Sequence, residues 1–331
     1  MCTNLNMEGE HKLTIRSFLK YVEIQTKVAS VIPFTFGTLY CFYSYKSFNL
    51  INFLIMFVSF ITFDMATTAI NNYIDFKKAN KKEGYGYEVH NAMGRGGISE
   101  KTGQRIIIIL LAIAAVFGLI LTLRTSLVVL LIGMLCFAIG IFYTFGPIPI
   151  SRMPLGEAFS GITMGFGITF LSIFIHAYDK NVIYISYSNN VLGLGINVLA
   201  VLSIFLISIP LVGCIANIML ANNICDIEDD IENQRFTLPY YIGRKNALKL
   251  FAFLYYIGYI AIIAAVVLKL LPLSALIMLI TFIPAYKNIK IFQANPSKAE
   301  TFVLSVKNMV LINMFNILVL GATIITVSLT K

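Results

Sequence analysis

Long apolar segments alternate with short polar connections along almost the whole chain. A helix rises about 1.5 Å per residue, so most of these segments are long enough to cross about 30 Å of hydrocarbon. The pattern therefore predicts an all-α polytopic membrane helix bundle with about nine transmembrane helices. The predicted helices cover 28–45, 50–70, 105–123, 126–144, 156–177, 196–221, 247–268, 271–286 and 308–329.

Two polar connections, 71–104 and 222–246, stand out by their size and their charged residues. We expect the function to concentrate there, and we assign no chemistry to the outer connection 178–195. Nine helices leave no room for a soluble domain, so the sequence predicts a single integral membrane domain over 1–331. The segment 1–26 is polar and has no apolar core, so we expect the first helix to direct insertion without a cleavable signal.

The composition supports a membrane protein, since 58% of the residues are hydrophobic and 12% are charged, with a mean hydropathy of +0.82. The formal net charge is +9, and Lys and Arg gather before the first predicted helix and after the even-numbered helices. The positive-inside rule then predicts a multi-pass protein of the cell membrane with a cytoplasmic N-terminus, an outer C-terminus and both large connections in the cytoplasm. Topology and anionic lipids account for the positive charge, so no nucleic-acid partner is predicted.

Three oxygen-bearing residues, Asn222, Asp226 and Asp230, are spaced four apart where an apolar segment meets a charged connection. On one helix, this spacing turns each side chain by only about 40° from the last, so all three would project to one side. Asn71 and Asp75 repeat the spacing after the second predicted helix. Mg²⁺ takes one or two carboxylates and completes its shell with phosphate oxygens and water. The two motifs therefore predict an intramembrane enzyme that acts on a diphosphate.

Acidic residues crowd the second motif, because Glu228 and Asp229 lie between Asp226 and Asp230. Such crowding is destabilising unless a cation neutralises it, which favours metal binding by Asp226 and Asp230. Glu228 and Asp229 point away from the shared face. Arg235 follows the motif as a candidate partner for a phosphate.

Two stretches, NNYIDFKKAN at 71–80 and NNICDIEDDIENQRFTL at 222–238, resemble the signature loops of the UbiA superfamily of intramembrane aromatic prenyltransferases. A third stretch, YTFGPIPISRMPLGE at 143–157, resembles the branch that prenylates 1,4-dihydroxy-2-naphthoate. In helix number and motif placement the resemblance covers nearly the whole chain. It implies a helix bundle around a central cavity, with a Mg²⁺-bound diphosphate at the cytoplasmic mouth and a side opening for the isoprenoid tail.

The resemblance also implies roles for individual residues. Asp75, Asp226 and Asp230 would bind the metal and act in catalysis, and Tyr143 would lie near the path of the allylic cation. Diphosphate-binding roles would fall to residues next to the motifs and to basic residues elsewhere. These are Asn71, Asn222, Lys78 and Arg235, together with Lys27 or Arg95.

The first motif departs from the family pattern. Asn72 stands where the family has its first aspartate, and Ala79-Asn80-Lys81 stands where a later one is usual. Either Glu83 or Glu88 would replace the missing carboxylate, or Asn71 would act through its amide oxygen.

The implied activity is the Mg²⁺-dependent transfer of a polyprenyl group from an isoprenyl diphosphate to 1,4-dihydroxy-2-naphthoate. Diphosphate and CO₂ would be released in this step of menaquinone biosynthesis. Another acceptor, such as 4-hydroxybenzoate, a haem or a sugar phosphate, is an alternative within the family. A transporter or lipid carrier is an alternative of a different class, since it also places polar residues around a cavity.

Overall fold

A computed structural model describes residues 13–78, 93, 98–146 and 149–329 of the chain. The chain divides into two compact units. The first unit comprises Met1–Lys27 and Val58–Val116, and the second comprises Val28–Phe57 and Phe117–Lys331. Two long helices, α3 (Leu50–Lys78) and α4 (Glu100–Arg124), contribute residues to both units.

The first unit begins with a short helix, α1 (Ile15–Tyr21), followed by a 3₁₀ turn, Ile24–Lys27. Thr14 caps α1, because its hydroxyl accepts a hydrogen bond from the Ser17 backbone N–H at 3.1 Å. The core of this unit packs Tyr21 of α1 against residues of α3 and α4. Its fully or nearly fully buried members include Tyr21, Val22, Ala66, Ala69, Met93, Ile98, Ile106 and Leu110.

The second unit contains most of the helices and one hairpin. Its buried apolar side chains come mainly from helices that meet along their lengths, for example Leu211, Phe251 and Met309. In chain order its further elements are α2 (Val28–Tyr45), α5 (Leu127–Thr144), the 3₁₀ turn Ile150–Arg152, α6 (Gly156–Phe174), β1 (Ile183–Ser188), β2 (Val191–Ile196), α7 (Val198–Cys225), α8 (Ile227–Glu232), α9 (Leu238–Ile242), α10 (Arg244–Val267), the 3₁₀ helix Leu273–Thr281, α11 (Phe282–Ala294) and α12 (Val303–Leu329).

Helix α6 is π-helical over Gly161–Gly167 and α-helical on both sides of this segment. Its glycines let it approach the backbone of α7 closely. A Cβ atom at Gly165 would lie 2.6 Å from the Val212 Cα atom, and one at Gly161 would lie 2.8 Å from the Val212 carbonyl oxygen. Small residues at helix contacts are the usual means of close packing between membrane helices. The contact holds the start of α6 beside the end of α7.

Strands β1 and β2 form an antiparallel hairpin between α6 and α7, with Ile183 opposite Ile196 and Ser188 opposite Val191. Its two-residue turn consists of Asn189 and Asn190, both at positive φ (50° and 62°). Asparagine tolerates this conformation, and two such residues match the twist of a hairpin. The sequence analysis treated this segment as a loop.

Eight helices in the described part of the chain are long and apolar enough to cross a membrane. The predicted all-α membrane fold is confirmed. Of the nine predicted helices, α2 is absent from these eight: it has 18 residues but includes Pro33 and several hydroxyl side chains. The predicted helix 271–286 begins as the 3₁₀ helix Leu273–Thr281 and continues to Ala294.

Candidate active site

The second acidic motif lies at a break between α7 and α8. Asp226 stands between them with φ −102° and ψ 12°, outside the α-helical region. Three acidic residues follow in the first turn of α8, where the free N–H groups of a helix favour negative charge. The motif therefore does not lie on one continuous helix, which is the condition under which its spacing would place all three side chains on one side. Asn222 lies on α7, Asp226 lies at the junction and Asp230 lies on α8.

A lysine from the far end of the chain contacts the first two groups of this motif. The Lys298 ammonium donates to the Asp226 Oδ2 atom at 2.6 Å and to the Asn222 Oδ1 atom. Lys298 lies between α11 and α12. In the sequence, Lys298 indicates only membrane topology, because no local pattern links it to the motif.

Asp230 is buried, with 5% of its surface exposed, and its carboxylate contacts two residues that follow the motif, Arg235 and Thr237. Its Oδ1 atom lies 3.3 Å from the Arg235 Nε atom, and its Oδ2 atom accepts from the Thr237 hydroxyl at 3.3 Å. Burial raises the pKa of the Asp230 carboxyl above its ordinary value. Arg235 opposes this shift, and the neighbouring Asp226 adds to it. In the structure Arg235 lies beside Asp230, and its predicted contact with a phosphate stays a prediction.

Glu228 points away from this cluster, as predicted. Its carboxylate is 70% exposed and accepts two hydrogen bonds from the Arg244 guanidinium, at 2.8 and 3.0 Å. Three acidic residues of the segment therefore each have a basic partner. The crowding of carboxylates consequently does not by itself require a metal ion.

The first motif lies in the last turns of α3, within the first unit. Asn71 is half-buried and Asp75 is exposed, and their spacing of four places them on one helix face. Lys78 is the last residue of the helix. The Asn72 side chain donates to the Tyr21 carbonyl at 2.8 Å and to the Glu23 carboxylate at 3.3 Å. An aspartate at this position would face two acceptors, which gives the departure from the family pattern a physical reason.

Lys27 has local partners in the first unit. It is 4% exposed, and its ammonium donates to the Asp64 carboxylate at 2.8 Å, to the Asp64 carbonyl at 3.1 Å and to the Thr68 hydroxyl at 2.6 Å. An ammonium has three N–H donors. In this conformation all of them are directed to α3, so a diphosphate-binding role for Lys27 would require it to leave Asp64.

Tyr143 lies near the end of α5, and its hydroxyl is buried without a hydrogen-bond partner among the described residues. The phenol lies close enough to Glu157 and Arg235 to interact with both electrostatically. Glu157, in the first turn of α6, accepts a hydrogen bond from the Asn223 side chain at 2.8 Å. Tyr143 thus belongs to the same cluster as the second motif.

Several residues that the sequence analysis considered lie outside the described part of the chain. Their roles, including the replacement of the missing carboxylates of the first motif, remain predictions. They are Ala79, Asn80, Lys81, Glu83, Glu88 and Arg95.

Comparison with known families agrees with this geometry. The model of the UbiA prenyltransferase family matches residues 30–317. The chain belongs to this family. The family resemblance inferred from the motifs is therefore confirmed, and so is a multi-pass membrane protein.

Individual relatives of this UbiA protein are similar to it in sequence or in fold. The 1,4-dihydroxy-2-naphthoate octaprenyltransferase of Bacillus subtilis (strain 168) is 33% identical over 228 residues, which cover 69% of this chain and 66% of that protein. A UbiA homolog from Aeropyrum pernix K1 has a TM-score of 0.62 at 19% identity, covering 95% of this chain and 99% of that one. A UbiA homolog from Archaeoglobus fulgidus bound to GPP and Mg²⁺ has a TM-score of 0.59 at 16% identity, covering 93% of this chain and 99% of that one.

The side chains of the second motif in this UbiA protein can bind a magnesium ion only if other ligands complete its coordination shell. Among the residues that the structure describes, no group of three or more His, Cys, Asp or Glu side chains could hold a metal. Asp226 and Asp230 offer two carboxylates, and Asn222 offers an amide oxygen. This all-oxygen set fits Mg²⁺, which draws its remaining ligands from phosphate and water.

Three residues of the second unit were missed by the sequence analysis, namely Lys298, Glu157 and Asn223. Glu157 ends the third stretch that resembles the family, and Asn223 follows Asn222 directly. The sequence thus contained a signal for these two, but their contact spans 66 positions of the chain. Lys298 carried no such signal.

Proposed function

We propose that this protein transfers a polyprenyl group from an isoprenyl diphosphate to 1,4-dihydroxy-2-naphthoate. The reaction would require Mg²⁺, release diphosphate and CO₂, and serve menaquinone biosynthesis. The choice of acceptor is supported by the name of the Bacillus subtilis relative and by the third stretch, 143–157. The use of Mg²⁺ is supported by the Archaeoglobus fulgidus homolog bound to GPP and Mg²⁺.

The observation that carries the proposal is the mixed cluster at the end of α7. Asp226 pairs with Lys298 at 2.6 Å, and Asp230 lies 3.3 Å from Arg235. A diphosphate needs both kinds of group, because carboxylates bind it through a divalent cation and basic side chains bind it directly. A carrier of neutral lipids would have no need of such a cluster at a helix end.

The proposed metal ligands are Asp226 and Asp230 in the second motif and Asp75 in the first motif, and Asn222 and Asn71 would each add an amide oxygen in their own motif. The metal, when bound, would neutralise charge on the departing diphosphate. Arg235 and Lys298 would stabilise the same charge through direct hydrogen bonds. Lys78 is a further proposed contact to the diphosphate. The aromatic ring of Tyr143 would stabilise the positive charge that develops on the allylic group.

The proposed orientation places the N-terminus and both motifs in the cytoplasm, where a soluble isoprenyl diphosphate headgroup is accessible. Its support is the distribution of Lys and Arg between alternate connections.

The experiment that tests the reaction uses purified protein in detergent with Mg²⁺, a polyprenyl diphosphate and a panel of aromatic acceptors. With 1,4-dihydroxy-2-naphthoate, we expect diphosphate and CO₂ in equal amounts and a prenylated naphthoquinol. Turnover with 4-hydroxybenzoate but none with the naphthoate would instead indicate a different acceptor class. An absence of diphosphate release with every acceptor would contradict the proposal as a whole.

A further inference from the structure

Three polar side chains from three helices meet in the second unit beside the second motif. Glu157 and Asn223 are 4% and 1% exposed, and they are joined by the hydrogen bond from the Asn223 Nδ2 atom to the Glu157 Oε1 atom at 2.8 Å. Tyr143 lies nearby, since a Cβ atom built at Gly156, next to Glu157, would be 3.6 Å from its hydroxyl. None of these three residues is assigned to the metal.

Each of the three side chains keeps a buried polar atom without a partner among the described residues. These atoms are the Glu157 Oε2 atom, the Asn223 Oδ1 atom and the Tyr143 hydroxyl. Buried polar atoms in folded proteins nearly always have a hydrogen-bond partner, and three exceptions in one place indicate a site for a bound group. Two of the three atoms are acceptors only, if Glu157 is ionised. The group that completes the site must therefore donate hydrogen bonds.

This site lies close to the mixed cluster at the end of α7, and that position limits which ligands could bind to it. Glu157 is within electrostatic reach of Asp230, and Tyr143 is within reach of Arg235. A ligand bound at Glu157 would thus lie next to the residues proposed to hold the diphosphate. In a prenyl transfer, the group that must lie next to the reacting end of the isoprenyl diphosphate is the aromatic acceptor. Its phenolic hydroxyls are hydrogen-bond donors.

We propose that Glu157, held in place by Asn223, binds a hydroxyl of the aromatic acceptor and accepts its proton during the reaction. This inference rests on the proposed function. Asn223 is a positioning residue, because its amide fixes one carboxylate oxygen and directs the other towards the acceptor.

The proton and the electrons balance in this scheme. The hydroxyl proton moves to the Glu157 Oε2 atom, and the electron pair left on oxygen enters the aromatic ring. A ring carbon then forms the bond to the allylic carbon, whose bond to oxygen breaks, and that electron pair leaves with diphosphate. The attacked ring carbon bears the carboxylate of the acceptor. Its bond to that carboxylate breaks, CO₂ leaves, and the electron pair restores the aromatic ring while the carbonyl oxygen takes the proton back from Glu157. The carboxylate therefore ends the cycle unchanged.

A carboxylate at this site should also distinguish acceptors that carry the bound hydroxyl from those that lack it. A buried carboxylate left without a donor is costly, so an analogue that lacks the bound hydroxyl should bind much more weakly. 1-Hydroxy-2-naphthoate and 4-hydroxy-2-naphthoate each lack one hydroxyl of the proposed acceptor. One of them should keep the contact with Glu157 and the other should lose it.

The test compares the full-length protein with Glu157→Gln, which has the same shape and can still accept from Asn223. General-base catalysis contributes about 10²-fold or more, so we expect turnover of the naphthoate to fall by that factor. The KM for the polyprenyl diphosphate should stay within twofold of the wild-type value, which also shows that the variant is folded. Glu157→Asp, which retains a carboxylate, should recover part of the lost turnover.

The two monohydroxy analogues, used as competitive inhibitors, give a second measurement that does not depend on turnover. The wild-type protein should bind one of them at least tenfold more tightly than the other, and Glu157→Gln should abolish this preference. If the variant keeps both the preference and near-normal turnover, the site holds only water and the inference is wrong. If the wild-type protein turns over no aromatic acceptor, the proposed function itself fails, and the variant plays no part in that result.

Discussion

At the scale of single residues, the acidic segment 226–230 contains both the proposed metal ligands and a carboxylate that serves as their control. We expect Asp226→Asn and Asp230→Asn each to reduce turnover by about a hundredfold or more, because charge stabilisation at the diphosphate is lost. Glu228→Gln should stay near wild type, since this carboxylate is 70% exposed and pairs with Arg244 away from the cluster. Diphosphate release in detergent, at matched protein concentrations, measures the difference. An equal loss in all three variants would instead indicate an effect of total charge.

Lys298 should influence metal and diphosphate in opposite directions. Its ammonium competes with a divalent cation for Asp226, and a partly exposed pair of this kind is worth up to about 1 kcal/mol. Lys298→Met should therefore lower the Mg²⁺ concentration for half-maximal activity by about two- to fivefold. It should also raise the KM for the isoprenyl diphosphate, because a direct contact is lost.

The matched control for this variant is Arg244→Met, which removes a guanidinium that pairs with Glu228. It should change neither constant. A Lys298→Met protein with an unchanged Mg²⁺ requirement would show that the contact with Asp226 does not persist in the working enzyme.

The sequence predicted that Asp226, Asp230 and Arg235 lie in one motif because their spacing is local. It could not identify Lys298, which reaches Asp226 across 72 positions of the chain, since such a contact exists only after folding. The role of Asn72 is a similar case. Its departure from the family pattern was visible in the sequence, but its hydrogen bond to the Tyr21 carbonyl was not.

At the scale of helices, the π-helical segment of α6 gives a steric test. A methyl group at Gly165 would lie 2.6 Å from backbone atoms of Val212, so Gly165→Ala should destabilise the protein by about 1–3 kcal/mol. Gly133→Ala is the control, because nothing lies within 4 Å of its added Cβ atom. Alanine is the better helix former, so this variant should be neutral or slightly more stable. Thermal unfolding in detergent measures both, and equal midpoints would contradict the close packing.

The apolar pattern predicted the helices well, because membrane segments need length and apolar composition above all. It failed where a local conformation decides the outcome. Asn189 and Asn190 make a hairpin turn in a connection for which no strands were predicted, and Asp226 separates α7 from α8 within a motif whose shared face requires one continuous helix. A run of acidic residues is typical of a helix start, so the second break was in principle predictable.

At the scale of the whole molecule, orientation in the membrane is open to a direct test. Single cysteines at Ser99 and Asn233, in a background without the five native cysteines, should resist a membrane-impermeant reagent in intact cells. A cysteine at Ser186, in strand β1, should react. Permeabilised cells provide the control, in which all three should be labelled. Labelling of Ser99 or Asn233 from outside would place the motifs on the wrong face for a cytoplasmic isoprenyl diphosphate.

Lys298 and Arg235 act as internal counterions for Asp226 and Asp230, and this has a practical consequence for handling the protein. If Mg²⁺ binds as proposed, a chelator removes it from two carboxylates that still have cationic neighbours, so little repulsion between them is released. EDTA should therefore stop turnover and leave the thermal unfolding midpoint unchanged. Protein kept in chelator throughout purification would remain folded and could be loaded with both substrates at rest. Added Mg²⁺ would then start a synchronous single turnover.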